Sequence, residues 1–106
     1  MKTNTTLTEI KANTTWIQGL GACAGKPASE LVIGDILGWN GGNTSTVTAI
    51  LKQTPMTVTI EEEWMGYDGQ AKRGERTMKK SRIVATVENG KFRVANVTKA
   101  ELSIVA

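Results

Sequence analysis

The chain reads as a mainly β protein, a small antiparallel barrel or roll with long hairpins, and three observations predict it. Eleven glycines stand against two prolines in a chain crowded with threonine and valine, a composition that favours strands over helices. Residues 56–64 alternate, with Met56, Val58 and Ile60 on one face and Thr57, Thr59 and Glu61 on the other. Asp68-Gly69 and Asn89-Gly90 have hairpin-turn chemistry. At 106 residues the chain makes one domain, 1–106, with a modest single core.

The first residues, 1–13, are polar and threonine-rich, with Leu7 and Ile10 the large apolar exceptions, and read as a loosely held arm. A strand follows over residues 14–18, anchored by Trp16, and then the glycine-containing stretch 19–26 reads as a loop. Pro27 fixes its own φ and starts a new element. Residues 28–31 form one helical turn with Leu31 inward, and Gly34 supplies the positive φ of a tight turn beside Asp35. Residues 36–39 make a short apolar strand, Gly41-Gly42-Asn43 a hairpin turn, and residues 46–51 a β-branched strand.

The sequence Ala28-Ser29-Glu30-Leu31-x-x-Gly34-Asp35 is similar to the opening of many SH3-like barrels and of the Hint domains of inteins. Continued by Trp39-Asn40-Gly41-Gly42-x-Thr44-Ser45, it resembles small proteins of phages and mobile elements with an SH3-like β-barrel. That likeness covers about a fifth of the chain and implies a fold with no activity attached. Intein chemistry needs a first-residue nucleophile and a histidine; here residue 1 is Met and there is no histidine.

Beyond Pro55 the chain is expected to run as two β-ribbons. The first reverses at Asp68-Gly69, placing Glu61 opposite Arg76 and Glu63 near Arg73 and Lys72. A long return strand spans 72–87, with Gly74 as the expected bulge. The second reverses at Asn89-Gly90, pairing Val87 with Phe92, Thr86 with Arg93 and Ala85 with Val94. Residues 98–106 fit either a capped helical turn, from Thr98-x-x-Glu101, or a closing strand.

Composition narrows the function. No histidine is present, which removes the commonest general base and metal ligand. Glu61, Glu62 and Glu63 alternate faces on a strand, so only Glu61 and Glu63 converge, and no acid–base pair can be assembled. The expectation is a protein without enzymatic activity, cofactor or metal. Cys23 is the single cysteine and fits a reducing, intracellular (cytoplasmic) setting, as does an N-terminus without an apolar signal region. Its neighbour Lys26 could activate the thiol, but a small residue in a loop is the plainer reading. No apolar run is long enough for a membrane helix.

The net charge is +3, and the basic run Lys72, Arg73, Arg76, Lys79, Lys80 and Arg82 is its densest part. With Trp64 and Tyr67 as stacking surfaces, this hairpin is the candidate contact for nucleic acid. Glu61, Glu62, Glu63 and Asp68 on the partner strand offer cross-strand ion pairs, leaving Lys79, Lys80 and Arg82 unpaired. Trp39 follows Ile36 and Leu37 and is read as a core residue. The alternative function is docking of the same hairpin onto a host or phage protein, as an inhibitor or assembly part, through Trp64 and Tyr67. An uncovered edge strand would allow pairing into a homo-oligomer.

Overall fold

The computed structural model describes residues 13–95 and 98–100. Its strands are β1 (Thr14–Ile17), β2 (Gly21–Pro27), β3 (Ile36–Gly38), β4 (Thr44–Gln53), β5 (Thr57–Met65), β6 (Ala71–Lys79), β7 (Ile83–Glu88) and β8 (Lys91–Phe92). All pairings are antiparallel, in the order β1-β2-β7-β3-β4-β5-β6, with β8 added beside β7. Among the described residues the sheet is not closed. β1 and β6 are its two edges, so the structure is an open antiparallel sheet.

One face of the sheet carries the main core. Leu37, Val47, Val58, Ile60, Met78 and Val84 are buried there with Ala28 and Leu31. The last two come from a single 3-10 turn, Ala28–Glu30, between β2 and β3. That turn is tied to the opposite edge region: the Ala28 N–H donates to the Arg82 carbonyl and the Ser29 N–H to the Lys80 carbonyl. Two register shifts interrupt the β4–β5 ladder, at Val47/Ala49 and Ile50/Lys52, and such irregularities increase local twist. A smaller cluster of Ile17, Cys23 and Ala85, backed by Phe92, lies on the other side of β7. Val84 and Ala85 therefore point into different clusters, and β7 is covered on both faces.

The Pro27–Asp35 segment forms as its residues suggest. Gly34 has φ 98, and the Asp35 carboxylate accepts the Val32 N–H at 2.9 Å. Lys26 reaches the same carboxylate at 2.6 Å. Lys26 is thus engaged with Asp35, and Cys23 lies fully buried in β2.

The structure corrects six expectations. The stretch 19–26 is mostly strand, because its small residues serve close packing between strands rather than a loop. A Cβ on Gly25 would lie 1.9 Å from the Val84 carbonyl oxygen, so only glycine lets β2 approach β7. Met56 lies in a turn and is 72% exposed, outside the buried face of β5. The β5–β6 ladder runs through Gly74 without a bulge, and the long return strand is broken instead by a turn at 80–82, where the Arg82 N–H donates to the Lys79 carbonyl. That turn, and no bulge, resets the apolar phase between Met78 and Ile83.

The register of the first ribbon differs by one residue from the expectation. Gly66 N–H donates to the Gln70 carbonyl and closes the loop there, so Met65 faces Ala71, Ile60 faces Arg76 and Glu61 faces Glu75. The second ribbon turns at Asn89 (φ 53) and Gly90 (φ 74) with Val87 opposite Phe92 as expected. Its ladder ends there: Val94 bridges to Cys23 instead of Ala85, although the Arg93 guanidinium still donates to Thr86 Oγ1. Lys99 and Ala100 are helical. The rest of the expectations for 1–13 and 98–106 fall outside the described residues, apart from Asn13 and Thr98.

Candidate functional site

Period-two alternation sorts the β5–β6 hairpin into two faces. The register places Val58 with Met78, Ile60 with Arg76, Glu62 with Gly74 and Trp64 with Lys72 on the core-facing side. Thr57 with Lys79, Thr59 with Thr77, Glu61 with Glu75 and Glu63 with Arg73 take the other side. The core face therefore changes character along the ribbon, from aliphatic at Val58 and Ile60 to polar and aromatic at Glu62 and Trp64.

Where the aliphatic part ends, a built polar network begins. The Trp39 Nε1–H donates to Ser45 Oγ at 2.8 Å, and Ser45 Oγ–H donates to Glu62 Oε1 at 2.6 Å. Arg76 Nε–H donates to Glu62 Oε2 at 2.8 Å. The Glu62 side chain is 4% exposed, so this carboxylate is both buried and fully engaged. A buried carboxylate requires that pairing, because desolvation without it would be costly. The Arg76 guanidinium also lies over the Trp39 ring, 4.1 Å from its centroid. Arg82 approaches the same ring at 5.7 Å.

Two cavities meet at this point, with Trp39 and Arg76 in the wall of both. The larger, about 510 Å³, is lined also by Asn43, Ser45, Glu62, Trp64 and Tyr67. The second, about 400 Å³, is lined by Trp16, Asn40 and Arg82 together with residues of β1 and β7. All three tryptophans and the single tyrosine of the chain thus border one or the other. Gly74 leaves room for this: a Cβ there would lie 3.1 Å from Trp64 Cη2, so the missing side chain lets the indole lie across β6. Tyr67 is fully exposed at the ribbon tip, beside Met65 at 68%.

The eight residues expected to contact nucleic acid divide. Trp64, Tyr67, Arg76 and Arg82 come together around the two cavities. Lys72 pairs with Asp68 at 3.3 Å and Arg73 with Glu63 at 2.9 Å, which raises the Arg73 pKa further above its ordinary value. Lys79 lies on the opposite face of β6, and Lys80 sits in the turn beyond it. Neither has an ion pair among the described residues. The basic run is therefore not a single patch, because a strand distributes adjacent cations to opposite faces.

Trp16, Trp39, Ser45 and Glu62 also belong to the site, although the basic aromatic hairpin of the sequence does not include them. Trp39 does pack against the core, yet its other side faces both cavities. Glu62 could have been found by carrying the Val58, Ile60 alternation two residues further. Cys23 takes no part; burial pushes its thiol pKa up, and its Sγ–H donates to the Gly21 carbonyl. Among the described residues no group of three or more His, Cys, Asp or Glu side chains is placed to hold a metal, and no helix is long and apolar enough to cross a membrane. Compared with protein-family models, curated proteins and solved structures, the chain matches none of them.

Proposed function

We propose that the protein is a non-enzymatic binding module for single-stranded nucleic acid, and that the strand lies across the two aromatic cavities rather than along the charged outer face of the hairpin. One observation carries this reading: every tryptophan and the only tyrosine border two cavities that share Trp39 and Arg76. Exposed aromatic faces stack on any base, and arginines beside them attract the phosphates between bases. The one carboxylate in the larger cavity, Glu62, is neutralised by Arg76 and so does not repel a polyanion. The same reading includes the SH3-like kinship of the Ala28–Asp35 opening, a source in a phage or mobile element, and action inside the host cell.

The test is fluorescence anisotropy of a labelled oligothymidylate. Stacking contributes on the order of 1–3 kcal/mol per base, so Trp64→Ala is expected to weaken binding about tenfold. With Arg82 as the phosphate contact whose charge no carboxylate offsets among the described residues, affinity should fall about threefold between about 50 and about 200 mM salt. Lys79→Glu, on the far face, should change affinity by less than about twofold. An affinity insensitive to Trp64→Ala but lost in Lys79→Glu would sink the proposal.

A second reading is favoured by the ribbon tip, where Met65 and Tyr67 are exposed next to Trp64. Such a tip suits docking onto a protein, whose hot spots are commonly aromatic. Capture of one host or phage protein by the wild type but not by Tyr67→Ala, with no binding of oligothymidylate, is the result that would favour it.

A further inference from the structure

The smaller cavity holds a feature that the stacking surfaces do not explain. Arg76 and Arg82 both lie against the Trp39 ring, and both line this cavity. Arg76 uses Nε on Glu62. Among the described residues neither of its Nη groups, nor any guanidinium nitrogen of Arg82, has a hydrogen-bond acceptor. Arginine presents its donors in a planar fork that matches phosphate oxygens, and an aromatic ring beneath it fixes the plane. Two forks with unused donors on one ring, beside a cavity of about 400 Å³, make a site for a tetrahedral anion with an aromatic group attached. On the same ribbon Arg73 and Lys72 are already paired with carboxylates.

We infer that this notch, formed by Arg76, Arg82, Trp39 and Trp16, is a phosphate subsite for nucleotides, with the guanidinium groups on the phosphate and a tryptophan ring against the base. The inference rests on the nucleic-acid reading for its biological setting, but the notch would serve equally for the phosphate of a strand or of a free nucleotide. It makes the phosphate, and not the base alone, the group that the site recognises.

The experiment titrates the protein with thymidine 5′-monophosphate, thymidine and inorganic phosphate in turn, following tryptophan fluorescence and the indole N–H signals by NMR. The monophosphate should bind about tenfold more tightly than thymidine, as expected when charge-assisted bonds to phosphate are gained. Inorganic phosphate alone should move the Trp39 indole signal. Arg82→Gln should abolish both effects; among the described residues its side chain has no hydrogen-bond partner to lose, so the fold should persist, as circular dichroism would verify. Lys79→Gln, with the same charge change on the opposite face, should leave both intact. Equal affinity for monophosphate and nucleoside, or an Arg82→Gln protein that still discriminates them, overturns the notch. If either occurs while oligothymidylate still binds and depends on Trp64, the notch fails and the nucleic-acid reading stands. If the monophosphate binds as expected but oligothymidylate binds no more tightly, the notch stands as a free-nucleotide site and the nucleic-acid reading fails.

Discussion

The two faces of the β5–β6 ribbon carry the same kinds of residue and use them differently. On the outer face Glu63 and Arg73 pair at 2.9 Å, with side chains 40% and 63% exposed. On the inner face Glu62 and Arg76 pair at 2.8 Å, with Glu62 only 4% exposed. Water screens the first pair, so it contributes little. The second is cut off from water on its acidic side and joined to Ser45, Trp39 and the core, so removing one partner strands a buried charge. Nearly identical ion pairs thus become a solvated decoration on one side and an anchor for a recognition surface on the other, and burial alone makes the difference.

Substitutions on matched positions sharpen that contrast. The largest effect is expected at Ile60, fully buried on the inner face: Ile60→Ala should cost about 4 kcal/mol in urea unfolding, whereas its outer neighbour Thr59→Ala should cost about 0.5 kcal/mol. Comparable losses at the two positions would break the assignment of faces. Next, Arg76→Ala should cost about 3 kcal/mol, at the low end for a buried pair because Ser45 keeps one bond to Glu62. Arg73→Ala should cost far less than Arg76→Ala, and the loss should vanish into error at high salt. The smallest effect belongs to the tip. The backbone N–H of Gln70, and then Lys72, hold the Asp68 carboxyl below the ordinary aspartate value. Its contribution is present above that value and is lost as pH falls through the lowered one. The Gln70 amide resonance should accordingly titrate with a midpoint below the ordinary aspartate value, and Asp68→Asn should abolish the titration.

The ribbons themselves were legible because their signals are local. Alternation over Val58 and Ile60 and the Asn89-Gly90 pair determine strand and turn from a few adjacent residues. The exact register at Asp68-Gly69 was not legible, since Gly66 and Gln70 close that loop through a backbone bond that no dipeptide rule contains. Strand β2 was missed for a related reason. Glycine and alanine look like loop residues until a neighbouring strand is close enough to need them, and Gly25 against Val84 is such a place. An open sheet also leaves no mark on the local pattern, which is the same for a closed barrel.

The candidate site was half visible. Trp64, Tyr67, Arg76 and Arg82 are legible as members of a basic aromatic hairpin, and they do meet, but through the inner face. Lys72, Arg73, Lys79 and Lys80 share the same linear density of charge and do not join them. Trp16 comes from β1 and Trp39 from the residue after β3, far away in sequence, and only the order of strands in the sheet brings them to Arg82.

The most direct test follows the three indole N–H resonances during addition of oligothymidylate. Trp16, Trp39 and Trp64 should all shift with one common saturation curve, while the amides of Thr77 and Lys79 on the outer side stay within noise. Unmoved indoles together with shifts confined to the Lys79–Lys80 region would contradict the account.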